Sequence, residues 1–213
     1  MRFYRLGLVS AAALCVAGPS MAQFYGGDFD GRNGIVINND AYVYDDFDVD
    51  GAGWMVTGIY ANCLTMDEIS SMNWEIRSGI SEGNGGTLVA GGSGPITQTL
   101  TGRSGFGYDE YELRISGLDL HLAAGTYYVG VNVGGPPRQT FVSTTSGANG
   151  FGSPLGNGNS WFDSDFWNEH FRSIEELLGK GPWDFSYGLV PEPATLAALG
   201  VALTALATRR RGS

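Results

Sequence analysis

The chain has 213 residues, of which 34 are glycine, while 16% are charged and 43% are apolar. Its 11 Phe, 10 Tyr and 5 Trp residues exclude a disordered chain, which would lack the side chains to build a core. The net charge of −10 argues against a nucleic-acid partner, because an acidic surface repels phosphate. The glycines follow no three-residue period, which excludes collagen, and a single lysine disfavours a helix bundle. A glycine-rich β domain with many turns remains.

The N-terminal segment has the pattern of a secretory signal. Two arginines precede an apolar stretch at 6–18, and Ser20 and Ala22 place small residues at the −3 and −1 positions of a cleavage site. The apolar stretch is shorter than the roughly 20 residues that a stable membrane helix needs. The sequence therefore predicts a cleaved signal peptide at 1–22 and an exported protein.

The C-terminal end combines a proline motif, an apolar segment and a basic cluster. Residues 194–208 carry no charge, and a helix of that length spans roughly 22 Å, less than the roughly 30 Å hydrocarbon core of a bilayer. Arginines at its end favour a cytoplasmic location for that end and leave the body outside the membrane. We expect a short hydrophobic helix that anchors the protein transiently in the inner membrane. The motif residues around it are Val190, Pro191, Glu192, Pro193, Arg209, Arg210 and Arg211.

This tail resembles the PEP-CTERM sorting signal of Gram-negative bacteria, which is also catalogued as an ice-binding protein C-terminal domain. The resemblance implies processing by an exosortase, a membrane enzyme, followed by transfer to the cell surface or extracellular matrix. It also implies an association with exopolysaccharide and biofilm. The chain then divides into a signal peptide at 1–22, a body at 23–189 and a sorting signal at 190–213.

The body reads as short strands in which apolar and polar residues alternate, separated by glycine-rich turns. This pattern predicts an all-β fold, namely an antiparallel β-sandwich with jelly-roll-like topology. Glu176 follows Ser173 at the spacing of a capping box, and Gly179 ends the segment, so one short helix is expected near the end of the body. The clearest alternation lies at 72–77, 110–115, 127–133 and 183–189.

The ends of the chain conceal how acidic the body is. They contain five of the 12 basic residues and one of the 22 acidic residues, which leaves seven bases, 21 acids and a net charge near −14 in 23–189. Cys63 is the only cysteine in that range, so no internal disulfide is available. Stability is therefore expected to come from sheet packing.

Two acidic segments are candidate calcium sites. Asp46, Asp48 and Asp50 precede a glycine as in the first half of an EF-hand loop, but Thr57 occupies the position of the bidentate glutamate. The alternative is a solvated strand face, because alternate residues of a strand share one side. A second acidic turn at 27–34 has suitable residue types and an irregular spacing.

Aromatic and acidic residues alternate between 161 and 167. Exposed aromatic faces can stack on the C–H surfaces of sugars, with carboxylates accepting hydroxyl protons. The alternative is a hydrophobic plug at an open end of the sandwich, since burying each ring contributes about 2 kcal/mol. The candidate glycan-binding residues are Trp161, Phe162, Phe166 and Trp167.

The residues show no recognisable catalytic pattern. His121 and His170 have no serine or cysteine in a familiar arrangement, and the segment 102–106 lacks the final glycine of a nucleophile elbow. Glu110 and Glu112 share a strand face about 7 Å apart, which also describes most polar strand faces. We therefore expect a non-catalytic protein without a cofactor (calcium aside), associated with extracellular polysaccharide. The alternative is a lectin-like carbohydrate-binding module, and a polysaccharide hydrolase ranks last.

Overall fold

The computed structural model describes residues 23–134, 139–179 and 181–191. The signal peptide, the C-terminal hydrophobic helix and motif residues Glu192, Pro193, Arg209, Arg210 and Arg211 lie outside these residues. In chain order the elements are β1 (Phe24–Tyr25), β2 (Phe29–Val36), β3 (Tyr42–Val49), β4 (Trp54–Thr65), β5 (Ser71–Ser78), β6 (Thr87–Pro95), β7 (Thr97–Gly105), β8 (Tyr108–Leu122), β9 (Gly125–Asn132), β10 (Phe141–Thr145), β11 (Ser160–Ser164), β12 (Glu169–Ser173), α1 (Ile174–Leu178), β13 (Asp184–Phe185) and β14 (Tyr187–Pro191).

The strands form two antiparallel sheets. The six-stranded sheet has the order β12-β11-β3-β9-β5-β6. In the eight-stranded sheet, the long strand β4 pairs with β8 along one edge and with β14 and β10 along the other. The chain passes from one sheet to the other between β3 and β4 and back again before β5, and β9 later pairs between β3 and β5. The prediction of an all-β antiparallel sandwich is confirmed.

The core lies between the two sheets and follows the predicted alternation. Trp74 and Ile76 of β5 are buried there, as are Phe185 and Leu189 from the last strands. Cys63 is fully buried in the same cluster as a free thiol. A second cluster lies apart from this core and contains Tyr44, Ile80 and Tyr128, with Tyr42, Trp161 and Phe171 packed against it.

A glycine in the last long strand permits a close approach between strands. Tyr60 of β4 pairs with Gly188 of β14, and its ring lies over that glycine. A Cβ atom at position 188 would overlap the ring. Only glycine leaves room for that ring. The contact matters below, because Tyr60 lines a groove on the outer face of this sheet.

The helix forms where the sequence predicts it, but the expected capping box is wrong. Ser173 makes no side-chain cap and is still the last residue of β12, where it pairs with Trp161. Its backbone N–H donates instead to the Glu82 carboxylate, 3.1 Å away. Gly179 has φ 60° and ψ 159°, which is not the left-handed helical conformation expected of a C-terminal cap. The strand ladder and Glu82 therefore set the start of this one-turn helix.

Candidate functional site

The first two residues of the predicted sorting motif belong to the folded body. Val190 and Pro191 are the last residues of β14, where Val190 pairs with Gly58 and Pro191 with Val56. Val190 is buried. Proline has no N–H to donate to a strand ladder, so the end of a strand is one of the few places where it fits. The body therefore continues into the motif without an intervening loop.

Thr57 holds this end of β14. The strand pairing shifts register on both sides of Thr57, as at a β-bulge. Its hydroxyl lies 3.0 Å from the carbonyl oxygen of Pro191 and 3.3 Å from that of Val190. The threonine that does not fit the EF-hand pattern thus has a structural role at the motif.

The four candidate glycan-binding aromatics lie in three different environments. Phe162 is buried in the core between the sheets. Trp161 packs beside the second cluster, and its indole N–H donates to Asn159. Phe166 and Trp167 lie in the turn between β11 and β12 and are 65% and 46% exposed. The structure therefore leaves two of the four rings available for a ligand at the turn.

The exposed pair has a defined geometry. The ring centroids of Phe166 and Trp167 are 4.9 Å apart, and the rings are nearly perpendicular, at 87°. This edge-to-face pair presents one ring at a time to a flat ligand rather than a continuous aromatic surface. Trp167 also borders an apolar cavity of about 440 Å³ that is lined by Phe141, Leu177 and Leu178 among others.

The three candidate calcium ligands have separate partners. Asp46 is buried and accepts hydrogen bonds from the side-chain amides of Asn157 and Asn159. Asp48 accepts from Thr126 and Ser153, and Asp50, beyond the end of β3, accepts from the Trp54 indole. In the part of the chain that the structure describes, no group of three or more His, Cys, Asp or Glu residues is arranged to hold a metal. The calcium hypothesis stays a prediction, which a calcium titration followed by thermal unfolding tests.

The second acidic segment, at 27–34, was expected to be a turn, but from Phe29 onward it belongs to strand β2, and its acids are engaged in the same way. Asp28 accepts hydrogen bonds from Tyr25 and Asn149 and forms an ion pair with Arg103 at 2.8 Å. Asp30 forms an ion pair with Arg32 at 2.6 Å and accepts from the Thr144 hydroxyl. Both carboxylates thus fasten this segment to neighbouring strands, Asp28 to β7 and Asp30 to β10.

Asp45, which the sequence reasoning did not single out, is the most deeply buried acid of this region. Its side chain accepts a hydrogen bond from the backbone N–H of Phe185, 2.6 Å away in the opposite sheet. Burial, and next the charge of Asp184, raise the pKa of Asp45 well above its ordinary value. Burial also raises the pKa values of Asp46 and Asp184, which hold the loop 157–159 by hydrogen bonds. These acids join the sheets and the loop.

The residues considered for catalysis are dispersed. His121 is exposed on β8, and His170 lies 3.6 Å from Asp163 at the β11–β12 turn. Glu110 is fully buried and bound to Arg103, whereas Glu112 is partly exposed and bound to Arg114. The two glutamates thus have different environments despite sharing a strand face.

A groove that the sequence did not reveal lies on the outer face of the eight-stranded sheet. It has a volume of about 340 Å³, and residues from four strands line it. The alternation of polar and apolar residues along each strand indicates that Glu112 and Tyr60 face outward. Only the tertiary structure shows that their strands lie side by side. Its principal lining residues are Tyr25, Tyr60, Asn62, Thr99, Arg103 and Glu112.

The fold and the junction define a β-sandwich whose last strand runs directly into a proline-containing motif. Residues 189–211 match the model of the PEP-CTERM protein-sorting motif. The chain therefore carries a PEP-CTERM sorting motif, the signal of an exported protein that an exosortase processes and sorts to the cell surface. Searches of curated proteins and of solved structures found no match. Within the described residues, no helix is long and apolar enough to cross a membrane.

Proposed function

We propose that the protein is a non-catalytic component of the cell surface or extracellular matrix, associated with exopolysaccharide after exosortase processing. The observation that supports the proposal is the position of the sorting motif, which begins inside the last strand of the sandwich. A cut after Pro191 leaves β14 complete, with both of its neighbours, β4 and β1, still paired. The processed product is then a whole sandwich displayed outside the cell.

The chemistry of the body suits that location. Its stability comes from a core between two sheets and not from a disulfide, since Cys63 is buried and free. A strongly acidic surface keeps such a domain soluble and limits its association with other acidic polymers. Neutral polysaccharide is the matrix component that this surface repels least.

The test combines sorting with matrix association. The variant Glu192→Ala/Pro193→Ala leaves the residues of β14 unchanged, and Arg172→Ala on the body surface is the control. We expect the motif variant to remain in the inner-membrane fraction, whereas the wild type and the control reach the surface and sediment with matrix polysaccharide. Normal processing and display of the motif variant would contradict the sorting step. A displayed wild type that does not sediment with the polysaccharide would contradict the association.

A second candidate is a lectin-like module, which the exposure of Phe166 and Trp167 favours. A glycan array with and without calcium tests it, with Trp167→Ala as the variant. We expect Trp167→Ala to lose binding if the turn is the glycan site. Equal binding by Trp167→Ala and the wild type would remove this turn as the site.

A further inference from the structure

We propose that the outer-face groove lined by Tyr25, Tyr60, Thr99, Arg103 and Glu112 binds a neutral saccharide. This inference rests on the proposed association with polysaccharide and assigns it a site away from the aromatic turn. The groove's volume of about 340 Å³ lies at the lower end of the range for small-molecule sites, which suits one or two sugar units.

The floor of the groove combines ring surface with polar edges. Tyr25 and Tyr60 have ring centroids 6.0 Å apart with the rings tilted by 36°. Arg114 covers Tyr60 at 4.5 Å from the ring centroid. The Tyr25 hydroxyl donates to Asp28 and accepts from Asn62, which fixes its ring. Burial and the Asp28 contact raise the pKa of Tyr25 to about 12, so its hydroxyl stays protonated at neutral pH.

The rim retains hydrogen-bonding capacity for a ligand. The Arg103 guanidinium uses Nε for Glu110 and Nη1 for Asp28, which leaves Nη2 without a partner among the described residues. Glu112 uses Oε1 for Arg114, and in the same part of the chain its Oε2 has no partner. The Thr99 and Tyr60 hydroxyls also make no hydrogen bond within the described ranges. Residues that line one cavity thus keep both donors and acceptors free of other partners, as a polyhydroxylated ligand requires.

The charges explain why the ligand is neutral. The two arginines at the groove, Arg103 and Arg114, face three carboxylates, those of Asp28, Glu110 and Glu112, so the formal charge there is −1 and both cations are paired. A phosphate or carboxylate ligand would find no unpaired cation. A metal ion would find the carboxylates already bound to guanidinium groups. Sugar hydroxyls need neither an unpaired cation nor a free carboxylate, because they pair with neutral donors and acceptors as well as with charged ones.

The network beneath the groove preorganises it. Glu110 is fully buried, and its Oε2 accepts hydrogen bonds from Thr101 and from Arg103, both of which line the groove. The other oxygen, Oε1, is buried without a hydrogen-bond partner in the described part of the chain. A carboxylate held in this way fixes Arg103 in place before any ligand arrives, which reduces the entropy lost on binding.

The test is calorimetric titration of the exported protein with neutral oligosaccharides of glucose, galactose, mannose and N-acetylglucosamine, two to six units long. Thr99→Trp fills the exposed rim, and Glu112→Gln removes the charge of one acceptor. Thr97→Trp is the matched control, because it places the same ring two residues away on β7, outside the groove. Trp167→Ala reports on the aromatic turn.

We expect at least one oligosaccharide to bind the wild type, with affinity reduced about tenfold or more in Thr99→Trp and Glu112→Gln and unchanged in Thr97→Trp and Trp167→Ala. If Thr99→Trp binds as tightly as the wild type, the groove is not the binding site. If Trp167→Ala loses binding, the site lies at the aromatic turn instead. A wild type that sediments with matrix polysaccharide but binds none of these oligosaccharides overturns the groove and leaves the proposed function standing. If the wild type neither sediments with matrix polysaccharide nor binds any of these oligosaccharides, both the groove and the proposed function are wrong.

Discussion

The ion pair between Arg103 and Glu110 gives the sharpest test of how the groove is held together. Arg103→Met keeps the apolar stem and removes the cation, which leaves the buried Glu110 carboxylate with the Thr101 hydroxyl alone at 2.7 Å. Removing one partner of a buried pair costs about 3–5 kcal/mol. Because the Arg103 side chain is 31% exposed, water compensates part of the loss, and we expect about 3 kcal/mol. For a domain of this size that lowers Tm by about 6–12 °C.

Urea denaturation followed by tryptophan fluorescence measures this effect. The double variant Arg103→Met/Glu110→Met removes both charges, so we expect it to recover to within about 1 kcal/mol of the wild type. Arg172→Met is the matched control, because neither Glu169 nor Glu176, its ion-pair partners, is fully buried as Glu110 is, and it should cost less than about 1 kcal/mol. If Arg103→Met is as stable as Arg172→Met, Glu110 does not depend on Arg103 and the reasoning is refuted.

Three further predictions follow from buried groups. The raised pKa of Asp45 means that the folded state binds its proton more tightly than the unfolded state does. Its contribution to the unfolding free energy should therefore fall as pH rises above the ordinary Asp value of about 4, and Asp45→Asn should flatten that slope in urea titrations at a series of pH values. Burial also raises the pKa of Cys63, so thiol reagents should label it only at the rate of unfolding, and rapid labelling of the native protein would contradict the buried site. Thr57→Val removes the hydroxyl that donates to the carbonyl groups of Val190 and Pro191, so hydrogen exchange at the Val190 amide should become faster. The unfolding free energy from a urea titration should fall by about 1 kcal/mol. Unchanged exchange would show that Thr57 does not hold the strand end.

Alternation along single strands made the two-sheet core predictable. Met72, Trp74 and Ile76 needed only the two-residue period of a strand to be placed on one face, and they are all buried. The same period also places Asp45 inward, between Val43 and Phe47, but it does not explain why a carboxylate occupies that position. Its partner is a backbone N–H in the other sheet, 140 residues later in the chain, and no local pattern encodes that contact.

The aromatic segment and the groove also depend on contacts that a local sequence pattern does not encode. The sequence grouped Trp161 to Trp167 as one platform, but a strand sends successive residues to opposite faces, so Trp161 and Phe162 separate at once. The groove draws Tyr25 and Glu112 from strands far apart in the sequence. Pairing of nonconsecutive strands decides which outward faces become neighbours, and a single sequence does not reveal it.

The sorting motif was predictable because it is a short linear pattern of residues, yet the structure links its first residues to the groove. β14 carries Val190 and Pro191, and it also carries Gly188, over which the Tyr60 ring lies. Its neighbour β1 positions Tyr25 opposite Gly188. A cut after Pro191 therefore leaves the groove intact, whereas a cut upstream of Gly188 would remove the strand on which both tyrosines rest. We therefore expect the proposed saccharide binding to survive a cut after Pro191 and to be lost on a cut upstream of Gly188.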